Sequence, residues 1–173
     1  ANVRLQNNAS IVLEDYRFQE GEFDHIVSIE MFEAVGEKYW PVYFNKMKNL
    51  LKKDGKAIVQ TITIEDKSFN RYKNDTDFLR TYIFPGGLLP SPSRFDQEVK
   101  NAGLTPIKSF EFGQDYARTL SIWLNNFDDA YHKIIDKGFD DNFVRLWRFY
   151  LAGCAAAFNT GYTNVRQVEI VHA

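Results

Sequence analysis

The chain has 173 residues, 45% of them hydrophobic and 25% charged, which suits one folded domain with a sizeable core and excludes a disordered chain. Its 21 Lys and Arg against 23 Asp and Glu leave a formal net charge of -2, so no broad positive field points to nucleic acid. The single Cys154 excludes an internal disulfide or a cysteine-cluster metal site, and no apolar run approaches the roughly 18 residues of a membrane span.

In chain order, residues 1–8 carry no signal-peptide core, and the sparse cysteine usage suggests a reducing, cytoplasmic setting. Residues 10–16, SIVLEDY, alternate enough to predict a strand, and FDHIVSI over residues 23–29 predicts a second after a polar turn. Trp40 and Pro41 open a helix with an apolar side at Val42, Phe44, Met47, Leu50 and Leu51. Lys52, Lys53, Asp54 and Gly55 read as its end, with cations in the last turn and a glycine suited to positive φ. Residues 56–64, KAIVQTITI, then read as an interior strand of a parallel sheet, completing a right-handed strand-helix-strand unit.

Residues 65–92 are irregular and read as an insertion. A short helix from Ser93 to near Gly103 and a strand over residues 104–112 follow. From Tyr116 the apolar spacing becomes helical through Leu120, Trp123, Leu124, Phe127, Tyr131, Ile134 and Ile135. A second amphipathic helix carries Phe143, Leu146, Trp147, Tyr150, Cys154 and Phe158, and residues 164–171 read as a last strand. Alternating strands and helices predict an α/β fold with a mostly parallel sheet. Such sheets usually cradle a cofactor on a glycine-rich turn after the first strand. The only glycine pair here, Gly86 and Gly87, lies mid-chain between prolines, so the chain reads as an α/β domain without its opening units.

Glu30 and Glu33 flank Met31 and Phe32 at the end of the second strand, where a carboxylate must be either solvated or paired. Taken alone, each reads as an exposed carboxylate at a helix start, stabilised by amide dipoles. His25, His132 and His172 lack ligand spacing, so no metal site is expected, and Cys154 reads as core.

Four blocks in register alter this reading: FDHIVSIEMFEAVG (residues 23–36), YIFPGGLLPS (82–91), DYARTL (115–120) and RLWRFYLAGCAAAFNTGY (145–162). Together they resemble the C-terminal part of the cyclopropane-fatty-acyl-phospholipid synthase family, S-adenosylmethionine-dependent enzymes that modify double bonds in lipid acyl chains. The resemblance implies the second half of a seven-stranded, Rossmann-like methyltransferase fold with a helical lipid-channel insertion. The glycine-rich cofactor loop and a catalytic cysteine of that family come earlier than this chain. All 173 residues would then form one partial domain, inactive on its own.

The resemblance also assigns roles. Glu33 would hold a bicarbonate ion beside the reacting carbons, with the Ile29 backbone and the Tyr116 phenol as further contacts, while Glu30 keeps the solvent-facing reading. Phe84 would stabilise a cationic intermediate through its ring face. Gly86, Gly87, Leu88, Leu89 and Tyr150 would line an acyl channel, and Asp15 and Tyr16 would meet the cofactor's adenine. At two positions the chain departs from the family's cyclopropane synthases: Ala34 stands in place of a histidine in the EHVG motif, and Gln60 in place of a bicarbonate-contacting histidine in LHTI. Gln60 keeps a donor and an acceptor but cannot carry charge near neutral pH. The pattern resembles the relatives that install a methyl branch.

The implied partners are an unsaturated phospholipid and the inner face of a membrane, touched peripherally, with no nucleic acid and with room for a homodimer. Two rival readings are a lipid-binding remnant without catalysis and a methyltransferase for another apolar molecule.

Overall fold

The apolar run that predicts the second strand forms β1, Phe23–Ile29. Residues 9–173 are described by the computed structural model, so the leader reading of residues 1–8 lies outside it. Helix α1, Trp40–Leu50, has Pro41 in its first turn, where a missing N–H removes no helix bond, and buries Trp40, Tyr43, Phe44 and Met47. It stops before the Lys-Lys-Asp-Gly signal because Leu51 turns extended, at φ -86 and ψ 124, and opens the 14-residue strand β2, Leu51–Ile64. Gly55 is therefore not the helix cap expected from sequence. A Cβ there would stand 2.8 Å from the Asp24 carbonyl oxygen and 2.9 Å from that of Lys52, so the position needs glycine for close approach.

The insertion is more regular than its sequence suggests, holding α2, Asp66–Asn74, and α3, Phe78–Tyr82, the latter capped by the Asp77 side chain. Helix α4, Pro92–Asn101, and strand β3, Leu104–Glu111, follow. The long helical stretch divides into α5, Gly113–Asp129, and α6, Tyr131–Asp136, before α7, Asp141–Asn159, and the last strand β4, Thr163–His172. Trp123, expected on the apolar face of this stretch, is exposed.

Two further sequence expectations fail. Residues 10–16 form no strand: among the described residues no strand pairs with them, Ile11, Val12 and Leu13 are exposed, and the chain enters a turn at Asp15. The sheet is mixed rather than mostly parallel, with order β1-β2-β4-β3. Only β1 and β2 run parallel, and β4 is antiparallel to both its neighbours. The cause lies in the short link from α7. It delivers Thr163 beside Ile64, the carboxyl end of β2, so β4 has to run back along β2.

Strand alternation splits the core. Ala57, Val59, Val168 and Ile170 face α1 and α4, around Phe32, whose ring lies within 5.4 Å of Trp40, Tyr43, Phe44 and Phe95. Ile62 and Val165 face α5 and α7, against Ala117, Leu120, Leu151 and Phe158. Helices therefore cover both faces of the sheet, and among the described residues no helix is long and apolar enough to cross a membrane.

Candidate functional site

Ligands of open α/β sheets bind beyond the carboxyl ends of the strands. At that end of β1 the Glu30 N–H donates to the Gln60 carbonyl at 2.9 Å, in line with the β1–β2 ladder. Glu30 itself has φ 51, the only non-glycine residue with positive φ among the described residues. Such a backbone costs about 1–3 kcal/mol and persists only where its surroundings hold it. Here the side chain does the holding. The Tyr116 hydroxyl, from the first turns of α5, donates to Glu30 Oε1, and Gln60 Nε2 donates to the same oxygen at 2.9 Å. Gln60 Nε2 also lies 3.0 Å from the Tyr116 oxygen.

Gln60 is fixed in turn. Its Oε1 accepts from Gln167 Nε2 at 2.8 Å, because Gln60 and Gln167 face each other across the β2–β4 pair. The amide carbonyl is thus occupied and its NH2 is aimed at Glu30. Burial, with the Glu30 carboxylate that it donates to, pushes the Tyr116 phenol up, so it remains a protonated donor at neutral pH.

Glu33 lies in the short 3-10 turn Phe32–Ala34. Its Oε1 accepts from Thr61 Oγ1 at 2.9 Å and from the Ile62 N–H at 2.5 Å, while its Oε2 is shielded and without a partner. Burial raises its pKa against the pull of those donors. Thr61 and Gln60 are successive strand residues and point to opposite faces. Glu33 is consequently fastened on one side of β2, and Glu30, with Tyr116, on the other. No hydrogen bond joins Glu33 to Tyr116, although the Glu33 charge contributes to the raised phenol. Glu30 is exposed, as its sequence reading has it, yet it opens no helix, and its carboxylate is tied to two side chains from β2 and α5.

The glycine pair builds the neighbouring wall. Leu88 N–H donates to the Glu33 carbonyl at 3.0 Å and Gly87 N–H to that of Phe84 at 3.0 Å, so the Phe84–Pro–Gly–Gly turn docks on the Glu33 segment. Gly86 has φ 82, which a side chain would strain, and a Cβ on Gly87 would come within 3.2 Å of the Phe84 oxygen. The half-exposed Phe84 ring meets Tyr150 edge-on, with centroids 5.8 Å apart. Burial pushes the Tyr150 phenol up, and the charges of Cys154 and Glu30 add to the shift. Leu88 and Leu89 are half-buried behind this turn, with Leu89 N–H donating to the Tyr72 hydroxyl at 3.2 Å.

On the other flank, Asp15, Tyr16, Arg17, Met31, Ala34, Val35 and Tyr39 line an open cleft of about 340 Å³. Tyr16 presents a half-buried ring supported edge-on by Tyr43 at 5.7 Å, a surface suited to a flat heterocycle. Asp15 is gripped at both oxygens by Arg17, at 2.9 and 2.7 Å, which holds its pKa at about 2. As a carboxylate it keeps lone pairs free for an exocyclic amine. The cleft shares Met31 with the Glu30–Glu33 turn. The Ile29 side chain is exposed beside it. Cys154 is half-buried against the α5–α7 core, and burial lifts its thiol to about 11, which leaves it unreactive.

Sequence reading named Gln60, Tyr116, Glu33, Phe84 and Tyr150, and the structure brings them to one end of β1 and β2. It missed Thr61, Gln167 and Arg17. The QTIT alternation marks Thr61 as facing away from Gln60, but Gln167 depends on the β2–β4 register, which sequence alone does not supply.

Residues 1–168 match the family model described as mycolic acid cyclopropane synthetase. The chain is 35% identical to the tuberculostearic acid methyltransferase of Mycobacterium tuberculosis, over 95% of this chain and 39% of that protein. It is 34% identical to the cyclopropane-fatty-acyl-phospholipid synthase of Escherichia coli, over 93% of this chain and 41% of that one. The chain thus spans about two fifths of the length of these relatives. Among solved structures, the cyclopropane synthase MmaA2 of Mycobacterium tuberculosis superposes with a TM-score of 0.82 at 26% identity, covering 92% of this chain and 59% of that one. The mycolic acid cyclopropane synthase CmaA1, complexed with SAH and CTAB, gives the same TM-score at 27% identity and the same coverage.

Proposed function

The chain belongs to the mycolic acid cyclopropane synthetase family, and on that premise we propose that it is the C-terminal part of an S-adenosylmethionine-dependent methyltransferase acting on a double bond in the acyl chain of an unsaturated phospholipid. On this reading the 173 residues form one partial domain, and the first strands and the glycine-rich loop come from a preceding segment. The observation that carries it is the junction of Glu30, Gln60 and Tyr116 set beside the ring wall of Phe84 and Tyr150.

An isolated alkene is a weak nucleophile, so it must be held in line with its electrophile and away from water. S-adenosylmethionine, when bound, supplies that electrophile as a methyl group on a sulfonium. The Tyr16 ring and the Asp15 carboxylate would hold its adenine. Leu88, Leu89, Gly86, Gly87 and Tyr150 would guide the acyl chain, and the Phe84 face would stabilise positive charge on the carbon next to the new bond. A proton acceptor must then stand close by. The resemblance supplies a bicarbonate held by Ile29, Glu33 and Tyr116 for that part, and the reading requires the acceptor at the Tyr116 end of the site. Loss of a methyl proton closes a cyclopropane, whereas loss elsewhere leaves a branched alkene. The uncharged Gln60 and the Ala34 position support the branched outcome. The exposed Tyr82, Phe84 and Phe149 suit peripheral contact with a lipid surface.

The test is incubation of the full-length gene product with a monounsaturated phospholipid and methyl-deuterated S-adenosylmethionine, followed by fragmentation of the acyl chains by mass spectrometry. A labelled branched alkene is expected. Recovery of unmodified acyl chains alone contradicts the reading.

A further inference from the structure

The proton acceptor can be named from the side chains at the junction. We infer that the Glu30 carboxylate is itself the base of this reaction and occupies the position otherwise open to a bound bicarbonate. The inference rests on the proposed alkene methylation, because it assigns the acceptor which that reaction needs.

Three observations converge on Glu30. Tyr116 and Gln60, the two neutral donors that would anchor a small anion, both donate to one Glu30 oxygen. Gln60 has no freedom to turn elsewhere, since Gln167 holds its carbonyl. A second anion would have to compete for the same donors while standing against the Glu30 charge, with the Glu33 carboxylate fastened across β2. The backbone gives the second observation. Glu30 stands at φ 51, where a glycine would sit without strain, so the carboxylate is retained against a conformational cost. The third is exposure. Glu30 is open to solvent, while its partner Tyr116 shares a packed cluster with Tyr150, which meets Phe84 edge-on. A base that is recycled each turnover needs both a position near the reacting chain and an exit for its proton.

The step balances. The alkene π pair forms the new bond to the sulfonium methyl carbon, and the carbon–sulfur pair leaves with the thioether sulfur. The resulting carbocation on the acyl chain gives up a proton to a Glu30 oxygen, and the freed C–H pair closes the ring or forms the new double bond. Glu30, now a carboxylic acid, returns the proton to water, and Tyr116 and Gln60 hold its oxygen in place throughout.

The experiment compares wild type, Glu30→Gln and Glu30→Gly in the full-length gene product, with 13C-bicarbonate as the probe. Binding is read by NMR line broadening, and methyl transfer is read in buffer freed of carbon dioxide. Wild type is expected to show no saturable bicarbonate binding and to need none for activity. Glu30→Gln should lower kcat by about 100-fold or more, the low end of what a general base contributes, with the lipid KM nearly unchanged. Glu30→Gly, whose thermal unfolding shows whether it folds, should gain saturable bicarbonate binding that is lost again on adding Tyr116→Phe, and should recover activity with added bicarbonate. Saturable binding by wild type that depends on Tyr116, or a Glu30→Gln variant within about twofold of wild-type kcat, overturns the inference. If no variant methylates any lipid, the alkene reading fails by itself, and the binding comparison still decides whether Glu30 fills the anion position.

Discussion

Glu33 carries the pH signature of the site. Burial raises its pKa above the ordinary value of 4.5, so the folded state holds its proton more tightly than the unfolded chain does. Its contribution to stability is thus fully present below that ordinary value and is lost as pH rises through the raised one. Glu33→Gln removes the titration while keeping an oxygen for Thr61 and the Ile62 N–H. Thermal unfolding between pH 4 and pH 8 should show wild type losing stability relative to this variant as pH rises, and a difference that is flat across the range contradicts the assignment. At this scale the sequence was informative about chemistry and blind to rotamers. Glu33, Gln60 and Tyr116 stood out through the family resemblance, whereas taken alone Glu33 reads as an exposed carboxylate and Tyr116 lies in a helix. Which glutamate meets Tyr116 was not legible, because that follows from the positive φ of Glu30 and from the face of β2 on which α5 lands.

Among the elements, α5 has the most exacting placement. It begins at Gly113, whose N–H donates at 2.8 Å to Asn164 Oδ1 at the start of β4, and a Cβ there would lie 2.5 Å from that oxygen and 3.2 Å from the Asn164 Cα. Asn164 has little room to yield, since the same oxygen accepts from the Val165 N–H and its amide donates to Glu111. Gly113→Ala should lift the start of α5 from the sheet and cost about 1–3 kcal/mol, as overpacking does elsewhere. Chemical denaturation measures that loss, and methyl transfer by the full-length gene product should fall with it, because Tyr116 is one turn along the helix. An unchanged midpoint counts against this picture. Most elements were legible from apolar period and turn residues, including the β1-α1-β2 unit and both long helices. The misreadings have a common origin in partners. Residues 10–16 alternate like a strand, yet no strand among the described residues pairs with them, and the direction of β4 was set by where α7 ends.

At the scale of the whole molecule, the sheet separates two jobs. One face, around Phe32, is a ring-packed core that anchors the β1 turn bearing Glu33, whereas the other carries α5 and α7, which bring Tyr116 and Tyr150 to the same end. Among the described residues β1 lies at the edge of the sheet, with Val27 and Ile29 exposed. The proposed substrate rests on the family relationship, and the proposed cofactor cleft and the aromatic wall lie on either flank of the β1 turn. The most direct measurement offers the full-length gene product an equal mixture of monounsaturated and fully saturated phospholipids with methyl-labelled S-adenosylmethionine, and locates the label by mass spectrometry. Label confined to the acyl chains of the unsaturated lipid is the predicted result. Label shared equally with the saturated lipid, or carried on a head group, contradicts it.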